Sequence, residues 1–172
     1  MKSFILGLII GIILVPLAVL AYIWFGYAPV ATASPPLPFE QRLAGMALDA
    51  RVEREAPKES PIKPTEENLT AGAKIYIQNC AGCHGTTAER QSAIAIGMYP
   101  KPPPLLHGNG VTDDPVGETY WKVANGIRLT GMPSFRASLT DEQMWQASQF
   151  LANADKLPQS VKEIVAQPAG AQ

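Results

Sequence analysis

The sequence predicts an all-α protein: a small helical head placed behind a long apolar helix and a proline-rich connection. Three observations carry this. The segment Phe4 to Phe25, FILGLIIGIILVPLAVLAYIWF, runs for 22 residues without a charge. Elsewhere apolar residues recur at helical spacing, most clearly in LTDEQMWQASQFLANADKLP, and no stretch shows the period of two that marks a half-buried strand. Many of the 16 prolines lie between residues 29 and 64 or in YPKPPPLL, where they favour extended chain over helix.

The uncharged run, within residues 1–26, is the first element. A helix needs about 20 apolar residues to cross a bilayer, and Pro16 is tolerated inside such a helix. A cleaved secretory signal is the competing reading, since ATAS at Ala31 to Ser34 has the small-x-small form of a cleavage site. The length of the run favours an anchor. Lys2 precedes it and Glu40 is the first charge after it, so the positive-inside tendency puts the N-terminus in the cytoplasm. On either reading the rest of the chain is exported, to the periplasmic side. With 172 residues and a formal net charge of -1, the chain has room for one domain plus appendages and no basic surplus for nucleic acid.

Residues 27–68 read as a tether. ASPPLPFE is polyproline-like. Leu43, Met46, Ala47 and Ala50 lie at helical spacing and predict one short helix over 39–55, and APKESPIKPTEEN continues as linker. The head occupies 69–157. Thr70 is placed to cap a first helix carrying Ile75 and Ile77. The stretch from Ala88 to Gly117 is turn-rich, with one helical turn at most. GETYWKVANGI is a short helix stopped by Asn125-Gly126, and RLTGMPSFRAS is a loop. Thr140 and Gln143 form a capping-box pattern ahead of a helix whose Leu139, Met144, Ala147, Phe150 and Leu151 share one side. Pro158 ends that helix, and 158–172 reads as a tail.

The chemistry sits in NCAGCHGT, which holds both cysteines of the chain and His84. A structural zinc site needs four ligands, and the chain offers only Cys80, Cys83, His84 and His107, of which adjacent Cys83 and His84 fit one tetrahedral site awkwardly. A thioredoxin-like dithiol lacks its βαβ surroundings, and a disulfide between Cys80 and Cys83 closes too small a ring to constrain much. Cys-x-x-Cys-His is the attachment signature of c-type haem: two thioethers to the porphyrin, with the adjacent histidine donating a ring nitrogen to iron. Ala81 and Gly82 are small, as a tight turn under a flat ring favours. For the opposite face of the iron the candidates are Met98, His107, Met132 and Met144. Met144 reads as core filler on its helix. Met132 stands 48 positions after His84, in a loop where Gly131 permits close approach and Pro133 stiffens the backbone.

AGAKIYIQNCAGCHG, KPPPLLHG, WKVANGIRLTGMPSF and DEQMWQASQFLANA, in that order over about residues 69 to 156, resemble a class I cytochrome c. The resemblance implies His84 and Met132 as the two axial ligands. It also implies a proline carbonyl that accepts the other ring N–H of His84, best matched by Pro104, with Pro103 the alternative in the same run. Gly72 and Phe150 correspond to the contact where the first and last helices of that fold cross, with Tyr76 and Trp145 packing nearby. Trp121 is read as core, Arg128 as an exposed loop residue and His107 as part of a structural turn.

An iron closed on both faces passes single electrons and does not bind substrate. The expected function is therefore one-electron transfer by a non-enzymatic, membrane-tethered cytochrome or cytochrome subunit. Its donor would be a dehydrogenase or quinol-oxidising complex and its acceptor an oxidase or another cytochrome. A haem-based gas sensor or small haem catalyst, with a labile sixth ligand, is the alternative.

Overall fold

The computed structural model describes residues 1–107 and 112–166, and all regular structure among them is helical. It divides into two compact units, Met1–Glu40 and Gln41–Gln172. The first is built on α1 (Lys2–Trp24), 23 residues with a mean hydropathy of 3.0 over its most apolar window and no buried residue. A helix apolar all round is suited to lipid, and this one is long enough to cross a membrane. Its end is marked by Gly26 at φ +76°, and the ring of Tyr27 folds back to stack on Tyr22 of the last turn, 6.2 Å between centroids.

The second unit contains α2 (Glu40–Glu55), α3 (Glu66–Asn79), α4 (Ala81–His84), α5 (Ala93–Gly97), α6 (Val116–Asn125), α7 (Asp141–Ala152) and, after a short 3₁₀ turn, α8 (Gln159–Val165). The first helix of the head starts earlier than Thr70 suggests. Thr65 is its cap, with Oγ1 accepting from the Asn68 N–H at 3.3 Å, because Pro64 ends the extended approach one residue before. The capping box of α7 is present in both directions: Thr140 N–H to Gln143 Oε1 at 2.8 Å, and Gln143 N–H to Thr140 Oγ1 at 3.2 Å.

The main packing pairs α3 with α7, and Gly72 sits where they touch. A Cβ there would run into the Gln146 carbonyl and come within 2.7 Å of Phe150 Cβ. One turn on, the rings of Tyr76 and Phe150 lie 5.4 Å apart, both fully buried. On the other side of α7, Trp145 stacks on Tyr120 of α6 at 4.0 Å between centroids, with Met144, Val123 and Phe135 around them. Met144 is core, as its position on the helix implied.

Three segments lie differently from the sequence expectation. Leu43 and Met46 of α2 face outward, while Leu48, Val52 and Ala56 form the inner stripe, so the 41–65 stretch is not a free linker: Val52 is 2% exposed. The tail folds back as α8. Its Val161 and Val165 are buried against Leu69 and Tyr76, and the Val165 carbonyl accepts from Thr87 Oγ1 at 2.8 Å. Trp121 is half-buried rather than core and donates its Nε1–H to Glu55 of α2 at 3.3 Å. Gly108, the last residue of the LHG turn, and residues 167–172 of the tail lie outside the described residues.

Candidate functional site

Asn79 closes α3, and the chain then makes a single further helical turn, α4, with His84 N–H and Cys83 N–H both bonded to the Cys80 carbonyl at 2.9 and 3.0 Å. Residues spaced i, i+3 and i+4 share one helical face, so this turn sets Cys80, Cys83 and His84 together. Gly85 terminates it at φ +79°, where a Cβ would lie 2.6 Å from the Arg90 carbonyl. The Gly85 carbonyl in turn accepts from the buried Tyr76 hydroxyl at 2.7 Å, which ties the motif to the α3–α7 core.

The turn faces a cavity of about 280 Å³ with mainly apolar walls. Cys80, Cys83, His84 and Met132 all line it, joined by Met98, Thr119 and Leu48. Cys80 and Cys83 are not bridged to each other. Burial, with the Cys83 sulfur nearby, pushes the Cys80 thiol up to about 12.

The proline that serves His84 is Pro103, not Pro104: Nδ1 lies 2.8 Å from the Pro103 carbonyl oxygen. The Pro104 carbonyl is turned the other way, accepting from the His107 N–H at 3.3 Å. A carbonyl only accepts, so Nδ1 carries the proton and Nε2 keeps a free lone pair. Burial also holds the His84 pKa below its ordinary value, against the opposing effect of the Pro103 bond. A neutral ring with one free nitrogen is the state an imidazole needs in order to ligate a metal. His107 lies elsewhere, its Nε2 against the Thr86 carbonyl at 2.8 Å, and has a structural role. Arg128 is exposed.

Met132 is held by its loop. Ile127 N–H donates to the Met132 carbonyl at 3.1 Å, Met132 N–H to Thr130 Oγ1 at 3.0 Å, and Ser134 Oγ to the Ala124 carbonyl at 2.6 Å. Gly126, at φ +67°, makes this possible. A Cβ there would sit 2.9 Å from the Met132 carbonyl and 2.6 Å from Ser134 N. The glycine thus serves the methionine loop as well as the end of α6. Gly131 lies against the end of the Met98 side chain, whose methyl fills the space beside its Cα.

Two wall residues, Leu48 and Thr119, are not found by the sequence reading, and a third, Met98, has a further neighbour. Leu48 belongs to a segment that reads as tether. Met98 was recognised only as a competing ligand, not as a neighbour of Gly131. Thr119 is 4% exposed, and its hydroxyl finds no hydrogen-bond partner among the described residues. A buried unpaired hydroxyl on the wall of an apolar cavity is what a cavity completed by a bound group leaves in its protein partner. The residues present fit a c-type haem in four respects: two thiols on one face, a tautomerically fixed histidine, thioethers on the same cavity and apolar walls.

Fold, motif and cavity define a membrane-anchored monohaem c-type cytochrome, whose cofactor is covalently attached haem c. Residues 67–151, from the start of α3 to the end of α7, match the family model described as Cytochrome C oxidase, cbb3-type, subunit III. Over 82 residues, 48% of this chain, the sequence is 32% identical to the cbb3-type cytochrome c oxidase subunit CcoP of Azospirillum brasilense. The chain matches only 27% of that relative's length. A chain of the reducing HAO-like protein complex of Kuenenia stuttgartiensis is 26% identical, with a TM-score of 0.48, covering 57% of this chain and 48% of that one.

Proposed function

We infer that the protein carries single electrons as the tethered cytochrome subunit of a respiratory redox complex, with its haem domain on the periplasmic side of the membrane. The observation that carries this is the convergence of His84 and Met132, each fixed through its own backbone contacts, on the cavity that also holds Cys80 and Cys83. Bound haem supplies a one-electron iron couple in that cavity. The two cysteines would attach it, His84 would offer Nε2 to the iron and Met132 its thioether sulfur. A His/Met pair leaves no open position, which supports electron transfer over sensing or catalysis. The apolar walls and the thioether both favour the reduced state and so raise the potential. The match to a domain of an oxidase subunit supports membership of such a complex. Its donor would then be a dehydrogenase or quinol-oxidising partner and its acceptor an oxidase centre or second cytochrome. The first unit, α1 with the stretch to Glu40, acts as anchor and tether.

Met98 is a second thioether on the same cavity, so two single variants test the ligation. Met132→Ala is expected to lose the thioether-to-ferric charge-transfer band and to bind carbon monoxide, while Met98→Ala keeps the band. The reverse result would move the ligation to Met98. The orientation is tested with intact cells stripped of outer envelope: added protease should reach the haem domain and leave a membrane-embedded stub.

A further inference from the structure

We propose that α2, which lies outside the 67–151 family match, forms part of the haem cavity wall, with Leu48 packed against the haem and helping to hold water away from it. This rests on the haem assignment above and goes beyond it, since nothing in that match includes residues before 67.

Leu48 lines the same cavity as Cys80, Cys83, His84 and Met98. It starts an inner stripe that continues four residues apart through Val52 and Ala56, the spacing of one helix face. Both of those are buried, at 2% and 8% exposed. The opposite face carries Leu43, which is 63% exposed. The apolar residues of α2 are therefore divided between a stripe that packs and a face that does not.

The helix is tied to the head near both ends. Gln41 Nε2 donates to the Tyr99 hydroxyl at 3.3 Å, and Tyr99 directly follows Met98 of the cavity wall. At the other end Trp121 Nε1–H donates to Glu55 Oε2, and the Glu55 carboxylate is braced by Arg51 Nε at 2.7 Å. The chain beyond α2 stays in contact. The Pro57 carbonyl packs so closely on Gly117 that a side chain there would collide with it, and the Ile62 carbonyl accepts from Gln149 Nε2 at 3.0 Å. These bonds near both ends of α2, with the buried Val52 between them, hold Leu48 toward the cavity.

The consequence for the haem is electrostatic. An isobutyl group in place of water lowers the local dielectric, and this disfavours the additional positive charge of the ferric state. Leu48 is then a shielding residue that tunes the iron from outside the Cys-x-x-Cys-His motif.

The test uses the full-length holoprotein in detergent, reduced, with carbon monoxide added if the sixth position is open, so that the iron is low-spin and diamagnetic. With leucine methyls isotopically labelled, the Leu48 methyl signals are expected to be displaced by the porphyrin ring current and to show cross-peaks to haem protons. Leu43 signals should lie at ordinary shifts. Leu48→Ala should identify the displaced pair and, with haem content unchanged, lower the midpoint potential and speed reduction by a small hydrophilic reductant several-fold. Leu43→Ala should change neither. Leu48 methyls at ordinary shifts without haem cross-peaks would overturn the proposal, and the wild-type measurement decides this even if Leu48→Ala does not fold. A Leu48→Ala potential equal to wild type would overturn the tuning role. Wild-type protein lacking any c-type absorption would overturn the haem assignment and this proposal together.

Discussion

His84 and Pro103 are joined side chain to backbone: Nδ1 of the ring lies 2.8 Å from the Pro103 carbonyl oxygen, across 19 positions of sequence. This single bond fixes the tautomer, aims Nε2 into the cavity and links the Cys-x-x-Cys-His turn to the proline run opposite. If His84 is an axial ligand and not an attachment point, His84→Ala should keep haem on the chain through the two cysteines. Haem-stained denaturing gels should still show it, while the six-coordinate low-spin spectrum is lost.

Gly126 joins the end of α6 to the Met132 loop, and its conformation suits glycine alone. Gly126→Ala should impose a backbone cost of about 1–3 kcal/mol and push the Met132 carbonyl and Ser134 apart from it. The expected result is a weakened thioether band and partial carbon monoxide binding, read in the same visible spectra, together with a lower Tm.

Gly72 tests the packing that carries the site. Any Cβ there meets the Gln146 backbone and Phe150, neither of which can swing aside. Gly72→Ala should therefore cost about 1–3 kcal/mol in denaturant unfolding of the holoprotein. The haem spectrum in native conditions should stay unchanged, because the contact lies in the α3–α7 core and not on the cavity wall.

These positions show what was legible in the sequence. The haem motif is local, since i, i+3 and i+4 on one turn need no tertiary information. The capping box and the glycine after Asn125 are equally local. Gly72 and Phe150 emerged only through the family resemblance, because nothing in the chain says which helices cross. Pro103 is harder: in three successive prolines the carbonyl that turns inward is the one that meets His84, 19 positions away, a tertiary matter. The inner face of α2 is not legible because Leu43 and Met46, which suggest the stripe, are on the outside, and Leu48 and Val52 are separated by charged neighbours. The end of the chain read as tail for a similar reason, since Val161 and Val165 make too short a stripe to stand out without the core they complete.

Tyr76 gives a pH-dependent prediction. Its hydroxyl is buried and donates to Gly85, and burial raises its pKa well above the ordinary 10.0. A raised pKa means the fold holds the proton more tightly than the unfolded chain does. The resulting stability is complete below about pH 10 and falls as pH climbs above it. Tyr76→Phe leaves the Gly85 carbonyl unpaired and should cost about 1–3 kcal/mol at neutral pH. The gap between the two proteins should narrow in unfolding curves measured above pH 10.

Whether this chain closes the iron on both sides can be read from the visible spectrum of the reduced protein with and without carbon monoxide. A c-type spectrum that the gas does not move is expected, as a His84/Met132 pair requires. A c-type spectrum that shifts on adding the gas would contradict it, and would mean an open sixth position and a protein that senses or reacts with small molecules instead of relaying electrons.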